Sequence, residues 1–216
     1  MTPQSFRFIS REEFERCADT LPNYTDRFAL YAIFEGIGGK QFEEITKMKM
    51  SDINGNEVHL CSGRTMTVPT KLVEIAQMAA EEEVYKSYNS ERKHTYRKGE
   101  QDLLFKTLNN RIQNDGNDTK NRSQVLGRRY INAMDYLGMP RQLTPKKLMM
   151  SGRIDFIRRL MKREDLRLEE TLAKCKDEIN AKSPVGKFGG SFAPFIRKYK
   201  RFYDSGFETR KITKSA

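Results

Sequence analysis

The spacing of apolar residues predicts helices over most of the first fifty residues. Ser10 and Glu13 form a capping-box pattern, in which the serine hydroxyl accepts from the N3 amide, so a short helix through Cys17 is expected to follow. Residues 24–35 are apolar around most of their circumference and are predicted to form a buried helix. Glycines at 36, 38 and 39 break this helix, and a further helix is expected over 40–49.

The pattern then switches to the alternation that is typical of strands. Residues 57–61 alternate, a Ser-Gly-Arg turn follows, and residues 65–68 return the chain, which predicts one antiparallel hairpin. Pro69 suits the first position of a helix over 70–88. The remaining predicted elements are a polar loop at 89–101, a short apolar segment at 103–105, helices starting at Ser123 and at Thr144-Pro145, a charged helix at 166–180, a Gly/Pro loop at 183–190 and a final helix at 191–204.

Together these elements predict an α+β fold that is mostly α-helical, with one small antiparallel β-sheet. Residues 1–205 are assigned to one domain and residues 206–216 to a basic C-terminal tail. No run of 18 apolar residues occurs, so no membrane partner is expected. Cys17, Cys61 and Cys175 are far apart, and His59 and His94 are the only imidazoles, so no disulfide framework, metal site or cofactor is predicted. This cysteine usage favours a reducing cytoplasm.

Charge is distributed unevenly along the chain. The 216 residues carry 40 basic and 29 acidic side chains, a net charge of +11. Residues 1–100 have 14 basic and 16 acidic side chains, whereas residues 101–216 have 26 and 13. This asymmetry favours a large anionic partner, with nucleic acid first, although a solvated basic surface explains the same counts.

Four segments in this order resemble the catalytic domain of tyrosine recombinases, the phage integrase family. Residues 28–53 resemble the family's first conserved box, in which an apolar helix, a turn and a Glu-Leu helix lead to an Asp-Ile pair, here Asp52-Ile53. The 57–68 hairpin closes with Val68-Pro69, as the family's hairpin does. Residues 103–105 resemble the Leu-Phe that follows, and residues 136–152 resemble the second box, with its Leu-Gly before Thr-Pro. The resemblance implies a helical core-binding domain in front, which this chain is expected to lack.

The resemblance also implies a set of catalytic positions, and this chain fills them unusually. Members of the family cut DNA without a metal, using a Tyr nucleophile, two phosphate-clamping arginines, a hairpin Lys as general acid and further His or Trp donors. Counting from the conserved boxes, the catalytic positions here are occupied by Gln41, Arg64, Lys146, Met149 and Met150. Tyr199 and Tyr203 are the nucleophile candidates, although core packing beside Phe195 and Phe202 in a late helix is the favoured explanation. Since loss of one oxyanion donor costs about 10²–10³ in rate, no enzyme activity is expected.

The residues predicted to contact DNA are basic side chains near these boxes. Lysine serves as a point charge toward phosphate, so Lys40, Lys146 and Lys147 could hold DNA where bidentate geometry is not needed. Solvated surface lysines explain these three positions equally well. The favoured interpretation of Arg153, Arg158, Arg159, Lys162 and Arg163 is a shared DNA-facing stripe, and a polar outer face is the alternative. A flexible loop that touches the DNA backbone is one interpretation of Arg92, Lys93, Arg97 and Lys98, but an ordinary solvated loop is favoured. The full set assigned to DNA is Lys40, Arg64, Arg128, Arg129, Arg141, Lys146, Lys147, Arg153, Arg158 and Arg159.

Three functions fit the sequence. The first is a sequence-specific binder of double-stranded DNA with an integrase-like fold and no recombinase activity, acting as a phage transcriptional repressor that controls lysogeny in the bacterial host. The second is a divergent but active integrase that uses Lys40, Arg64, Lys146 and Tyr199 or Tyr203. The third is a protein-interaction scaffold whose basic face binds an acidic partner. Docking of the C-terminal helix or tail on a second copy of the chain and disorder of this tail fit the sequence equally well.

Overall fold

The computed structural model describes residues 8–108, 118–140 and 143–182. Its α-helices are α1 (Arg11–Ala18), α2 (Tyr24–Phe34), α3 (Glu43–Thr46), α4 (Thr70–Glu81), α5 (Asp118–Tyr136), α6 (Pro145–Glu164), α7 (Leu168–Lys174) and α8 (Lys176–Ala181). Its strands are β1 (Ile53–Asn54), β2 (Glu57–His59), β3 (Thr65–Thr67), β4 (Val84–Lys86) and β5 (Lys93–Thr95). Short 3₁₀ turns cover Lys40–Phe42 and Met50–Asp52. The described chain is therefore mostly helical with small antiparallel sheets, compatible with the predicted α+β class.

Helix α2 is the centre of the core, as its apolar sequence predicts. Nine of its 11 residues are buried, and it packs against α4 on one side and α6 on another. A residue distant in sequence caps its first amides: the Glu82 carboxylate accepts hydrogen bonds from the amides of Tyr24 at 2.9 Å and Thr25 at 3.0 Å. This cap satisfies backbone donors that would otherwise be left without partners inside the fold.

Helix α6 begins at the predicted point and lies unusually close to the end of α2. The Thr144 side chain accepts from the Lys147 amide, and Pro145 occupies the first turn. Gly152 makes the close approach possible, since a Cβ placed there would lie 1.7 Å from the Phe34 carbonyl oxygen. The second half of α6 packs with α7 and α8 around a smaller apolar cluster that includes Ile157, Leu172 and Ile179.

The predicted hairpin is present and is part of a three-stranded antiparallel sheet in the order β1-β2-β3. Val58 pairs with Met66, and both side chains are buried on one face. Ile53 pairs with Val58 from the other side, which adds a strand that the residue pattern does not predict. Strand β1 is only two residues long, which is too short to show the alternation of apolar and polar residues that predicts a strand.

A second hairpin replaces part of a predicted helix and loop. The helix expected over 70–88 ends at Glu81, and residues expected in the 89–101 loop form β5, which pairs with β4. The chain leaves the helix at Glu82, whose carboxylate is occupied at the start of α2. Tyr85 is buried, and the hydroxyls of Tyr88 and Tyr96 donate to the carboxylates of Asp26 and Glu82. These long-range contacts outweigh local helical preference.

Three other predicted elements differ in their bounds. Residues 40–49 are not one helix, because Gln41 and Phe42 have φ values of 54° and 57°, in the left-handed region. Helix α5 begins at Asp118, before Ser123, and the segment 166–180 is divided into α7 and α8 at Cys175. The predicted loop at 183–190, the final helix at 191–204 and the basic tail lie outside the described residues.

Candidate functional site

The positions matched to the recombinase boxes lie on three elements that come together at the end of α2. These elements are the turn after α2, the β2–β3 turn and the first half of α6. Arg64, in the β2–β3 turn, joins them: its side chain hydrogen-bonds the Gly36 carbonyl oxygen and the Glu44 carboxylate. Gly152 brings α6 onto the same end of α2. The β2–β3 turn and α6 therefore both reach the end of α2.

Arg64 is held in an internal network. Its Nε and Nη2 atoms donate to the two Glu44 carboxylate oxygens at 2.9 and 2.8 Å. Its Nη1 atom donates to the Ala181 carbonyl at 2.6 Å, and Nη2 also donates to the Gly36 carbonyl at 3.2 Å. A guanidinium has five N–H donors, so most of the binding capacity of Arg64 is used within the protein.

Glu44 is the buried partner in this network, with a side chain that is 1% exposed. It also accepts from the Ser62 hydroxyl at 2.5 Å and the Gly38 amide at 2.8 Å. Burial works to raise the pKa of Glu44, but hydrogen bonds from Arg64, Ser62 and Gly38 outweigh it and hold the pKa below its ordinary value. The carboxylate is therefore ionised and neutralises Arg64.

Gln41 occupies the first clamp position on an exposed left-handed turn. Gly39, with φ of 69°, allows this turn to pack on Glu44, because a Cβ there would lie 2.8 Å from the Glu44 Cγ. The amide of Gln41 carries no charge, so it cannot neutralise a phosphate as a guanidinium would. Lys40, directly before it, is exposed.

The α6 positions of the second box form one face of the helix. Lys146 is exposed, Met149 packs partly against the main core, and Met150 packs against the smaller cluster. Arg153 follows one turn later on the same face. Burial, with the nearby positive charge of Arg64, lowers the pKa of Arg153 to about 10. Two guanidinium groups therefore lie near each other here, with apolar Met149 at the position matched to the second clamp arginine.

A second ion cluster, next to the Arg64–Glu44 network, holds Lys182 against the end of α2. The buried Glu35 carboxylate accepts from Arg11 at 2.7 Å and from Lys182 at 3.1 Å. Lys182 also donates to the Thr67 carbonyl at 2.8 Å. Gly36 is required here, because its φ is +89° and a Cβ would lie 2.2 Å from the Lys182 carbonyl oxygen. Tyr199 and Tyr203 lie outside the described residues.

The structure distributes the predicted DNA-contacting residues over different environments. Lys40, Arg128, Lys146, Arg158 and Arg159 are exposed, Lys147 and Arg153 are half-buried, and Arg141 lies outside the described residues. The prediction of one shared stripe is wrong for Arg153, which lies roughly 120–140° around the helix from Arg158 and Arg159 at 3.6 residues per turn. Arg159 and Arg163 are paired with Asp155 and Glu178, respectively.

Arg129 does not lie on a surface that DNA could contact. It is 6% exposed, its Nε lies 2.5 Å from Asp26 Oδ1, and it packs over the rings of Tyr85 and Phe105. Burial opposes the charge, but Asp26 outweighs it and raises the pKa of Arg129. Its assignment to DNA is therefore wrong. The signal that could have revealed this is Asp26, a carboxylate in a helix predicted to be buried, which needs a compensating partner there.

The histidines and cysteines of the described residues do not add a metal centre to this site. Within residues 8–108, 118–140 and 143–182, no group of three or more His, Cys, Asp or Glu side chains could hold a metal ion. His59 contacts Glu57 and Thr65 on the exposed hairpin. All three cysteines are free thiols. No helix in the described part of the chain has the length and apolarity to cross a membrane.

Comparison with known proteins gives one family. The family model described as MrpR, C-terminal catalytic domain, matches residues 8–188. The match includes Gln41, Arg64 and the α6 positions, and it ends before Tyr199 and Tyr203. No curated protein matches the chain.

Proposed function

The chain belongs to the MrpR C-terminal catalytic domain family, a group of tyrosine-recombinase-like domains, and from this premise we propose that it binds DNA without recombining it. Its role would be that of a phage transcriptional repressor that controls lysogeny. The proposed role is of the same kind as that of the master repressor of SPβ-like phages, which looks like a recombinase and does not recombine. Double-stranded DNA in the bacterial cytoplasm is the proposed partner.

The proposed loss of recombinase activity rests on the residues at the two clamp positions, Gln41 and Met149, and at the hairpin position, Arg64. Gln41 and Met149 supply no positive charge, and Arg64 donates to Glu44 and to two backbone carbonyls. An oxyanion that gathers charge in a transition state needs donors fixed toward it. With these positions neutral or already bonded, phosphoryl transfer lacks its electrostatic support.

Retention of DNA binding is supported by the exposed cations around the same region. Lys40 and Lys146 are exposed and lie at or beside the matched positions, and the chain has a net charge of +11. Phosphate contacts position a protein on a duplex without requiring the geometry of a reaction. Repression of a promoter then needs only occupancy of its operator.

A gel-shift titration at several salt concentrations tests DNA binding. The log of the affinity is expected to fall linearly with log salt, with a slope of about −0.9 for each contacted phosphate. Lys40→Gln/Lys146→Gln is expected to reduce this slope by about 1.8. A wild-type protein that ignores DNA even at low salt contradicts the proposal and favours the scaffold that binds an acidic protein.

A divergent active integrase is the second candidate, because Arg153 lies one turn after Met149 and near Arg64. Two guanidinium groups in one region could clamp a phosphate if Glu44 released Arg64. A nicked suicide substrate separates the candidates by trapping any covalent adduct between protein and DNA. We expect no adduct; an adduct that disappears in Tyr199→Phe or Tyr203→Phe would overturn the proposed inactivity.

A further inference from the structure

We propose that the β4–β5 hairpin is a rigid basic surface that contacts the phosphate backbone of DNA. The inference rests on the proposed DNA-binding function and assigns part of the contact to an element outside the boxes that resemble integrases. The contact surface is the exposed face of the hairpin, formed by Val84, Lys86, Lys93 and Thr95, which we call the hairpin face.

The register places two lysines directly opposite each other. Lys86 pairs with Lys93, and Tyr85 pairs with His94 on the other face. Lys86, Lys93 and Thr95 are exposed, whereas Tyr85 is 6% exposed. Like charges opposite each other across a strand pair are destabilising. The pair therefore costs stability in the free protein, and an anion bound across it would remove that cost.

The described part of the chain supplies no acidic partner to the cations of this hairpin. Across the described parts of the chain, Lys86, Arg92, Lys93 and Lys98 form no ion pair. Several α6 arginines behave differently, since Arg159 pairs with Asp155 and Arg163 pairs with Glu164 and Glu178. Charges that remain uncompensated at a surface are the ones that release counterions when they meet phosphate.

The hairpin is also held firmly to the core. The buried Asn23 side chain donates to the Lys86 carbonyl at 2.9 Å and accepts from the Lys86 amide at 2.7 Å. The Tyr88 hydroxyl donates to Asp26 at 2.6 Å. Tyr85 packs under the buried Arg129 guanidinium. A surface that is already ordered loses little entropy on binding, in contrast to the polar loop that the sequence predicts.

A two-stranded ribbon of this kind is narrow enough to approach a duplex groove. Its lysine ammonium groups are point charges, so the expected contact is with phosphate and is independent of base sequence. A competing explanation is that lysines on short exposed strands prevent edge-to-edge association of copies. The two explanations predict different behaviour when the charges are removed.

The test compares two double variants that lose the same charge. Lys86→Gln/Lys93→Gln alters the hairpin face, and Lys71→Gln/Lys174→Gln removes two lysines that are paired with Asp19 and Glu164. Asn23 contacts only the backbone of Lys86, so both proteins should fold, which circular dichroism checks. Affinity for a genomic fragment that the wild type retains is measured by gel shift from 50 to 300 mM salt.

We expect the hairpin variant to lose about 10–30-fold in affinity near physiological salt and about 1.8 from the salt slope, with the control close to wild type. A wild type that binds DNA while both variants lose equally little overturns the hairpin contact and leaves the proposed function intact. A hairpin variant that self-associates in sedimentation and keeps its DNA affinity also overturns it, in favour of edge protection. A wild type that binds no DNA overturns the proposed function itself.

Discussion

At the scale of single residues, the Arg64–Glu44 pair explains most about the matched site. A carboxylate that is 1% exposed can remain ionised only where hydrogen bonds and an opposite charge compensate for lost water. Glu44 receives four such bonds, from Arg64 twice, Ser62 and Gly38. The pair therefore serves the fold, and it holds the β2–β3 turn against the segment after α2.

Glu44→Gln is expected to destabilise the protein by about 3–5 kcal/mol at pH 7, because it leaves the partly buried Arg64 without its counter-charge. Urea unfolding at pH 7 measures this change. Ser62→Ala is the matched control, since it removes a single hydrogen bond and should cost about 1 kcal/mol. A Glu44→Gln cost below that of Ser62→Ala would contradict the assigned role of the pair.

The same carboxylate predicts a dependence of stability on pH. The pKa of Glu44 is lowered by folding, so its stabilising contribution is present above its unfolded pKa of about 4.3 and is lost as the pH falls through the lower folded value. Glu35, whose pKa is raised by burial but lowered more strongly by Lys182 and Arg11, adds to this effect. Unfolding free energies measured from pH 7 to 3.5 should fall less steeply below pH 5 in Glu44→Gln than in wild type.

Arg128 and Arg129 are neighbours with opposite expected roles. Arg129→Gln should cost about 3–5 kcal/mol of stability, because Asp26 would be left buried without its cation. Arg128→Gln should change stability by no more than about 0.5 kcal/mol and reduce the salt slope of DNA binding by about 0.9. Unfolding and gel-shift titrations of both variants check this, and a stable Arg129→Gln protein with weakened DNA affinity would reverse our assignment.

At the scale of elements, the crossing of α2 and α6 depends on the absence of one side chain. Gly152→Ala places a methyl group 1.7 Å from the Phe34 carbonyl oxygen, so α6 must move and the protein should lose about 1–3 kcal/mol or more. Gly127→Ala in α5 meets nothing within 4 Å and should be stabilising by about 0.5–1 kcal/mol. Thermal unfolding of both variants compares them, and equal effects would contradict the close approach.

At the scale of the whole molecule, long-range ion pairs connect segments that are distant in sequence. Glu35 contacts both Arg11 and Lys182, so the α1 and α8 regions meet at one carboxylate. Asp26 and Arg129 connect α2 to α5 in the same way. Packing alone does not specify these connections, because each needs one particular charge at one position.

Lys182→Gln is therefore expected to loosen α8 selectively. Amides of α8 should exchange with solvent about tenfold faster, while those of α2 stay protected, as in local rather than global opening. Hydrogen exchange by mass spectrometry measures both regions in one experiment. Lys174→Gln, which breaks only an exposed pair with Glu164, is the control and should change neither region.

Local patterns were enough to predict α1 with its Ser10 cap, the buried α2, the β2–β3 hairpin and the start of α6. Each depends on residues within one turn or one strand pair. The second hairpin is not predicted because it depends on Asn23 and Asp26, which contact Lys86 and Tyr88 from 63 and 62 residues away in the sequence. Arg129 was misplaced for the same reason, since its partner Asp26 is about a hundred residues away. Charge counts cannot distinguish a buried arginine from an exposed one.

The tyrosines around the second hairpin make its movement detectable by intrinsic fluorescence. The chain has nine tyrosines and no tryptophan, so tyrosine phenol rings dominate its ultraviolet fluorescence. Tyr85 lies 6.1 Å from Tyr88 and 6.4 Å from Tyr96, and Tyr88 lies 4.9 Å from Tyr136. Any event that shifts this hairpin should change the emission of four coupled rings, without an attached dye.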